Sequence, residues 1–381
     1  MKAIINGKII LKDTILTEQV ILYDETIEQI IPKAIFQAKA GDIILDAQGK
    51  YVAAGFINLH IHGCSGYDTM DDTPEALAVI RQSMAECGVT SFLPTTMTYD
   101  FSTIYRSFEQ IRAAMKIEGG AQIIGCHVEG PFISEEYKGA QSPKHIVAPD
   151  FSWLEPYQDI IKIVTIAPER MSNYDFVEEC KKRNIVVSIG HSSATYDEAM
   201  QAISAGAAQI THLFNGMQPF HHRKPSVVGA ALDTDVNCEL IADNVHVHPA
   251  MQRLVYKIKG SDHLILITDS MRACMLPDGE SELGGQVVIV KDQVAKLRNG
   301  TIAGSVLTMN EAIRKFQYNT GAPLPEVIKL VTVNPAKELG IYDLKGSIES
   351  GKQADLVLFD DTIEIFTTIV KGKKVYQRRP S

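Results

Sequence analysis

Short apolar runs alternate with amphipathic stretches from about residue 55 to residue 340. A short apolar run bounded by turn residues is typical of a buried strand, and the stretches between the runs have the apolar spacing of helices. Eight such runs end near His62, Thr96, Glu129, Glu169, His191, His212, His246 and Asp269. This alternation predicts an α/β fold, a (β/α)8 TIM-like barrel, in which functional residues gather at the C-terminal ends of the strands.

Several of the amphipathic stretches have recognisable helix boundaries. They include Pro74–Cys87, Asn173–Arg183, Tyr196–Ala205 and Pro249–Lys259. Thr73 followed by Pro74 favours a helix start, because proline at the first helical position lacks only an N–H that would be unpaired anyway. His248, next to Pro249, is expected to open the last of these helices.

The two ends of the chain have a different pattern from the middle. Residues 1–54 and 346–381 contain short runs in which apolar and polar residues alternate, broken by Gly, Asp and Lys. Such alternation is typical of strands with one buried face. Neither end holds enough strands for an independent domain. We therefore expect both termini to combine into one small β-sandwich domain, while residues 55–345 form the barrel.

Composition and charge narrow the functional classes. The chain has 381 residues, 45% of them hydrophobic, and a formal net charge of −9. It lacks the basic patch that nucleic-acid binding requires. No apolar stretch in it nears the ~18 residues needed to span a membrane, and we expect no secretory signal. Its six cysteines are scattered, which favours free thiols. These features predict a cytoplasmic protein that binds neither nucleic acid nor a membrane.

Six side chains that commonly bind metals occur where the apolar runs end: His60, His62, Glu129, His191, His212 and Asp269. His60 and His62 are two positions apart on a predicted strand, so both imidazoles point to the same face. Glu129 ends an otherwise apolar strand, where a buried carboxylate needs a partner such as a cation. The alternatives are two packed histidines and a salt-bridged carboxylate.

His191 and His212 complete, with Glu129, a set of three ligands that leaves an open position for water, as a catalytic metal site requires. Either histidine alone would suit an ordinary place in the core. Asp269 ends the last strand, where a carboxylate next to an activated water can take its proton and pass it to a leaving amine. The alternative for Asp269 is a helix N-cap. The whole set favours a metal-dependent hydrolase.

A second group of polar residues follows His212 along the chain. Asn215 and Gly216 form a glycine turn, and the basic segment after it contains Arg223. Backbone amides in such a turn, together with an Arg side chain, suit a phosphate group, and a solvated basic loop is the alternative. His246 ends the seventh run, where a ring nitrogen suits a sugar hydroxyl or a phosphate.

These segments resemble those of the amidohydrolase superfamily, and more narrowly those of the N-acetylglucosamine-6-phosphate deacetylase family. The resemblance extends over nearly the whole chain. It is carried most specifically by HVEGPF at residues 127–132 and THLFNGM at residues 211–217, and also by GHS at 190–192, IADNVHV at 241–247 and IAGS at 302–305. Many members of the superfamily bridge their metals with a carboxylated lysine. This chain has Glu129 at the corresponding kind of strand end, which disfavours dihydroorotase and hydantoinase activities.

The resemblance implies that Glu129, His191 and His212 hold the principal divalent metal and that Asp269 is the catalytic acid and base. Relatives that lack the two histidines of the first strand carry His where this chain has Gln141. Because His60 and His62 are both present here, a second metal bridged by Glu129 is favoured, and zinc and iron both suit the ligands. The residues implied to line the substrate are Ala140, Gln141, Asn215, Gly216, Arg223, His246, Ile302, Ala303 and Gly304.

The reaction implied is hydrolysis of N-acetyl-D-glucosamine 6-phosphate to D-glucosamine 6-phosphate and acetate. The alternatives are a deacetylase of N-acetylgalactosamine 6-phosphate and a cyclic-amide hydrolase of the same superfamily, since an Arg-bearing loop does not distinguish epimers. A non-enzymatic protein that kept the barrel is expected to show gaps in the ligand set, and here all six positions are filled. The resemblance also implies a homodimer, in which Arg223 serves either its own pocket or that of the neighbouring subunit.

Overall fold

The first strands of the chain belong to a pair of small sheets beside a barrel. The computed structural model of the protein describes residues 1–379. The first strands are β1 (Lys2–Ile5), β2 (Lys8–Ile10), β3 (Ile15–Leu16), β4 (Gln19–Tyr23), β5 (Ile27–Pro32), β6 (Ile43–Asp46) and β7 (Tyr51–Ala54). The short alternating runs expected in residues 1–54 thus form strands.

The middle of the chain forms the barrel. In chain order its elements are β8 (Phe56–Ile61), β9 (Gly63–Cys64), β10 (Tyr67–Asp68), α1 (Pro74–Glu86), β11 (Val89–Thr96), α2 (Phe101–Ala114), β12 (Gln122–Ile123), β13 (Cys126–Glu129), β14 (Ile161–Ile166), α3 (Asp175–Lys182), β15 (Val186–Ile189), α4 (Tyr196–Ala205), β16 (Gln209–Ile210), α5 (Ser226–Asp233), β17 (Asn237–Ile241), α6 (Pro249–Lys259) and β18 (Leu264–Ile267).

Eight of these strands lie side by side and run parallel, in the order β8, β11, β13, β14, β15, β16, β17 and β18. The ring nearly closes between its first and last strands. Ile61 forms a parallel bridge with Ser270, and the Asp269 N–H donates to the His60 carbonyl oxygen at 3.0 Å. The predicted (β/α)8 barrel is therefore confirmed.

The rest of the chain follows the last barrel strand. It comprises β19 (Gly279–Leu283), β20 (Gln286–Lys291), β21 (Val294–Leu297), α7 (Met309–Thr320), α8 (Leu324–Lys329), α9 (Val333–Glu338), β22 (Leu356–Phe359), β23 (Ile365–Val370) and β24 (Lys373–Gln377). The first three of these strands form an antiparallel sheet of their own. This three-stranded insertion lies at the mouth of the barrel and was not among the elements expected from the sequence.

Both termini contribute to the pair of small sheets. One sheet has the order β5-β4-β1-β6, and the other has the order β24-β23-β22-β7-β2-β3. A shared core packs Ile4 and Ile21 of the first sheet against Ile9, Val52 and Leu356 of the second. The predicted β-sandwich from both termini is confirmed as part of the fold, while the domain boundaries at residues 54 and 346 stay a prediction.

Local sequence signals explain the elements that hold the barrel together. All residues of β8, β11 and β18 are buried, as expected for parallel strands covered by helices. Thr195 and Glu198 form a capping box at the start of α4. His248 caps α6 by accepting a hydrogen bond from the Ala250 N–H at 3.1 Å, which confirms its expected role. The strands therefore hold their C-terminal ends on one face of the barrel.

Two further expectations concern the chain as a whole. All six cysteines lie buried as free thiols, as their scatter along the sequence suggested. No helix in residues 1–379 combines the length and the apolar character needed to cross a membrane.

Candidate active site

A cavity of about 250 Å³ opens at the C-terminal ends of the barrel strands. It is lined by His62, Met97, Glu129, Gly139, Ala140, Gln141, His191, His212, Asn215, Gly216, His246, Asp269, Leu283, Thr301, Ile302 and Gly304. Most of the site residues predicted from the sequence thus share one cavity. They converge because all parallel strands of a barrel end on the same face.

Glu129, His191 and His212 form a tight cluster on the floor of this cavity. Glu129 Oε1 lies 2.9 Å from His212 Nε2 and 3.1 Å from His191 Nε2, and the two ring nitrogens are 3.1 Å apart. All three side chains are buried. Ligand atoms that sit about 2 Å from one ion lie roughly 3 Å from one another. The spacing therefore fits three ligands of a single divalent metal.

His60, His62 and Asp269 form a second cluster beside the first. Asp269 Oδ1 lies 3.3 Å from His62 Nε2 and 3.6 Å from His60 Nε2. Glu129 connects the two clusters, because its Oε2 is 3.2 Å from His62 Nε2 while its Oε1 faces the other histidines. His60 Nε2 has no hydrogen-bond partner among the described residues although it is fully buried. A buried polar atom left in this way fits a second metal ion.

In both clusters, attraction between opposite charges shifts the pKa values more strongly than burial does, and in the opposite direction. Burial alone would lower the pKa of His62, but the carboxylates of Asp269 and Glu129 raise it to about 10. Burial alone would raise the pKa of Asp269, but His60 and His62 lower it to about 2. The same balance holds the pKa of Glu129 well below its usual range. Carboxylates and imidazoles held together in this way are suited to a cation, since metal binding displaces the imidazole protons.

Hydrogen bonds fix the orientation of three of the imidazoles. Nδ1 of His191 donates to the Tyr137 carbonyl at 2.8 Å, and Nδ1 of His62 donates to the Thr95 carbonyl at 3.2 Å. Nδ1 of His60 lies 3.0 Å from a carboxylate oxygen of Glu239. When Nδ1 carries the proton, the lone pair of Nε2 is available to a metal. In all three rings Nε2 is the atom that faces the clusters.

The turns that follow the barrel strands place three of these side chains. His191, His212 and Asp269 each lie two residues beyond a strand and have left-handed backbone angles, with φ of 47°, 29° and 48°. This conformation is uncommon for residues other than glycine and is often found at functional sites. It turns the side chain from the strand axis toward the cavity, which the sequence alone did not indicate.

Gln141 is held in one orientation on the wall of the cavity. Its Oε1 accepts from the Thr98 N–H at 2.8 Å and also from the Thr98 hydroxyl, so its Nε2 donates to Glu129 Oε2 at 2.9 Å. Gly130 makes room for this contact, because a Cβ atom there would lie 2.1 Å from Thr98 Oγ1. Gln141 therefore presents a donor to the cavity.

The opposite wall carries the glycine turn and a histidine. Gly216 has φ of 60°, and a Cβ atom there would lie 2.8 Å from His191 Nδ1. The Asn215 side chain donates to two backbone carbonyls of its own turn. His246 Nδ1 contacts Asp243 Oδ2 at 2.6 Å, and although burial opposes it, this carboxylate raises the pKa of His246. His246 is therefore suited to an anionic group in the cavity.

Three of the predicted site residues do not line the cavity. Arg223 is exposed, and its guanidinium contacts His222. Ala303 is fully buried behind the wall, where its N–H donates to the Ala295 carbonyl. His60 lies beneath the floor. The remaining predicted residues all face the cavity, and the roles assigned to them stay predictions.

Several residues at the site were missed in the sequence. Thr98 holds Gln141, and Leu283 of the inserted sheet lines the cavity. Glu239 contacts His60 from within β17. A signal for Glu239 was present, because it is a carboxylate in an otherwise apolar run, the same feature that drew attention to Glu129.

Residues 51–375 match the family described as the amidohydrolase family. The N-acetylglucosamine-6-phosphate deacetylase of Lysinibacillus sphaericus is 40% identical over 335 residues, which cover 86% of each chain. The N-acetylglucosamine-6-phosphate deacetylase of Bacillus subtilis is 42% identical over 328 residues, which cover 84% of this chain and 83% of the relative.

A solved structure agrees with both sequence relatives. The crystal structure of N-acetylglucosamine-6-phosphate deacetylase from Pasteurella multocida superimposes with a TM-score of 0.93 at 32% identity, over 99% of this chain and 100% of the other. The agreement covers the barrel and the pair of small sheets together. The chain therefore belongs to the amidohydrolase family and, within it, to the N-acetylglucosamine-6-phosphate deacetylases.

Proposed function

We propose that this chain hydrolyses N-acetyl-D-glucosamine 6-phosphate to D-glucosamine 6-phosphate and acetate, with divalent metal as cofactor. The observation that carries the proposal is the convergence of Glu129, His191 and His212 beside Asp269 on the floor of one cavity. Relatives named for this reaction share about two residues in five with the chain over most of its length. The complete set of six side chains argues against a barrel that has lost its chemistry.

We infer that the cofactor is zinc or iron, with two ions bound. Glu129, His191 and His212 would hold one ion, and His60, His62 and Asp269 would hold the other. When bound, such an ion supplies a Lewis acid that makes a water molecule acidic enough to react near neutral pH. The two-ion arrangement is supported by Glu129, whose carboxylate contacts histidines of both clusters.

We assign the role of proton carrier to Asp269. Its low pKa keeps it a carboxylate at neutral pH, and it faces the cavity. It accepts the proton of the water whose oxygen attacks the acetyl carbon. It then donates that proton to the nitrogen as the C–N bond breaks, which releases acetate and the free amine.

We propose that Gln141 donates a hydrogen bond to the reacting carbonyl. An amide nitrogen carries two hydrogens, and in Gln141 one of them is donated to Glu129. The second is available to the oxygen of the acetyl group as negative charge develops on it. The contacts from Thr98 prevent the amide from turning its oxygen to this place.

The sugar phosphate would lie farther out in the cavity. The backbone amides near Asn215 and Gly216 and the ring of His246 are suited to an anion there. Arg223 does not line the cavity of its own chain, so we propose that it serves the cavity of a second copy in a homodimer. The homodimer and the cytoplasmic location stay predictions, and light scattering on the purified protein would measure the oligomeric state.

The central test is the substitution Asp269→Asn. Asn keeps an oxygen atom in place but cannot carry the proton, so turnover should fall by roughly 10²–10⁴-fold. The ion held by Glu129, His191 and His212 should stay bound, as elemental analysis measures, because Asp269 is not among its ligands. The assay follows acetate release from N-acetylglucosamine 6-phosphate.

The control is Asp235→Asn, since the Asp235 side chain is 96% exposed and outside the cavity. It should leave turnover and metal content unchanged. Near-normal turnover of Asp269→Asn would contradict the proton-carrier role. Faster acetate release from N-acetylgalactosamine 6-phosphate than from the glucosamine epimer would instead favour the alternative substrate.

A further inference from the structure

Glu239 is a carboxylate with no exposed surface inside the barrel, below the two ligand clusters. Its Oε2 lies 3.0 Å from His60 Nδ1 and accepts the backbone N–H of His212 at 3.2 Å, and its Oε1 accepts Nε2 of Gln209 at 2.8 Å. A charge in such a place is strongly unfavourable unless it is paired and hydrogen-bonded. Glu239 does not line the cavity, so it acts on the site only through His60 and His212.

This region is a hydrogen-bonded support and does not provide a third metal site. His60, His127 and Glu239 place their ligand atoms within 4.8 Å of one another. However, both ring nitrogens of His127 have partners. Nδ1 donates to the Leu59 carbonyl at 3.0 Å, and Nε2 contacts Thr165 Oγ1 at 2.8 Å. His127 therefore has no lone pair to offer to an ion. The imidazole that Glu239 contacts is that of His60.

We propose that Glu239 is a positioning residue that sets the affinity of His60, His62 and Asp269 for their metal ion. This inference rests on the proposed two-ion function. A carboxylate only accepts hydrogen bonds, so its contact requires the proton on Nδ1 and leaves the lone pair on Nε2. The negative charge also makes the imidazole a stronger ligand.

The effect is specific to one of the two clusters. His62 and His191 direct Nδ1 to neutral backbone carbonyls, and His60 directs it to a carboxylate. Glu239 accepts a hydrogen bond from the backbone N–H of His212 and therefore does not orient the imidazole ring of that residue. Removal of the Glu239 charge should therefore lower the affinity for the ion at His60 and His62 more than the affinity for the ion at His191 and His212.

The test is Glu239→Gln, with the affinity for Zn²⁺ measured by equilibrium dialysis and elemental analysis. Gln has nearly the same shape and can still accept from His60. Its new N–H groups face Gln209, whose Oε1 has no hydrogen-bond partner within residues 1–379 and can accept after the amide turns. The variant should fold, keep one ion at wild-type affinity, and bind the other 10–100-fold more weakly, as expected for the loss of a carboxylate behind a ligating histidine.

Two further variants make the result interpretable. Glu239→Asp keeps the charge but shortens its reach to His60, so the second ion should again bind more weakly, even if the Gln variant fails to fold. Ser188→Ala removes a buried hydroxyl that contacts Gln209 and Thr211 but no ligand, and both affinities should stay unchanged.

The outcomes separate this inference from the proposed function. Unchanged affinity for the second ion in Glu239→Gln and Glu239→Asp would overturn it, and so would equal loss of both ions. A wild-type protein that binds a single ion would also overturn it. In that case, acetate release by the wild-type protein would still support the deacetylase function.

Discussion

At the scale of single residues, Glu338 shows how burial controls a charge far from the cavity. It ends α9, where the Asn237 side chain donates to one carboxylate oxygen and the other oxygen has no hydrogen-bond partner among residues 1–379. Burial raises the pKa of Glu338 to about 7, and Asn237 only partly offsets the rise. The folded protein thus keeps a proton that the unfolded chain releases above its ordinary pKa of 4.5.

This raised pKa gives stability a defined pH dependence. Between about pH 4.5 and pH 7 the folded state binds more protons than the unfolded state, so the free energy of unfolding falls as pH rises and then levels off. The Glu338→Gln variant has no ionisable group at this position, so its free energy of unfolding does not fall in this way as pH rises. Its amide oxygen can still accept the hydrogen bond from Asn237. At pH 8 the variant should be more stable than wild type by on the order of 2 kcal/mol, with little difference at pH 5.

The measurement compares melting temperatures of the two proteins at pH 5 and pH 8 by calorimetry. The exposed Glu135, changed to Gln, is the control and should give the same difference from wild type at both pH values. A Glu338→Gln variant with an equal effect at both pH values would contradict the argument.

Single residues also show how far the sequence can predict the site. Glu129 and Asp269 were recognisable because each carboxylate ends an apolar run. Glu239 gave a similar signal as a carboxylate in an apolar run, but it lies within its strand, and its contact with His60 depends on how the barrel brings distant strands together. For Arg223 the sequence indicated a phosphate contact but left open whether it serves its own pocket or that of a neighbouring subunit, because the direction of a surface loop is set by packing and is not encoded in the loop itself.

At the scale of elements, the turn after β13 combines a left-handed backbone conformation, which suits glycine, with a contact in the candidate site. Gly130 has φ of 85°, and an added Cβ atom would lie 2.1 Å from Thr98 Oγ1 and 3.0 Å from Gln141 Oε1. Gly130→Ala should destabilise the protein by roughly 2–3 kcal/mol and displace the Gln141 amide. Acetate release should fall as well, because the donor to the carbonyl is then misplaced.

Gly340→Ala is the matched control for Gly130→Ala. Gly340 has a similar φ of 66°, but a Cβ atom there meets no atom of the described residues within 4 Å. Its substitution should cost about 1 kcal/mol from backbone strain alone, with turnover unchanged. Chemical denaturation and acetate release together measure both effects, and equal turnover of the two variants would contradict the role of the turn.

Elements were predicted well where periodicity dominates. The run predicted to end at Thr96 is β11, and the helix predicted over Tyr196–Ala205 is α4. The sheet formed by β19, β20 and β21 was missed because it is an insertion between barrel elements, and the eightfold pattern is already complete at Asp269. Its edge contributes Leu283 to the cavity, so the missed element is part of the candidate site.

At the scale of the whole molecule, a buried ion pair joins the barrel to the small sheets. Lys345 Nζ lies 2.8 Å from Asp355 Oδ2 and also donates to Ser91 of β11 and Gln122 of β12. Both partners are almost fully buried. Lys345→Met would leave the Asp355 carboxylate without its cation and should lower the free energy of unfolding by about 3–5 kcal/mol.

Urea denaturation of Lys345→Met measures this loss. The double variant with Lys345→Met and Asp355→Leu should recover much of it, because a buried pair replaced by apolar groups is often close to neutral. If the double variant were as unstable as the sum of the two single variants, the loss would come from packing and not from the unpaired charge.

The pairing of β7 with β22 has a consequence for biosynthesis. Ala54 pairs with Leu356, and almost the entire barrel lies between them along the chain. A ribosome therefore releases the whole barrel before it releases the partner that β7 requires. Strand β7 therefore has an unpaired edge during translation, and such edges favour association between nascent chains. Strands β22 to β24 can thus complete this sheet only after the barrel has been synthesised, and slower synthesis at lower temperature should reduce association through the β7 edge.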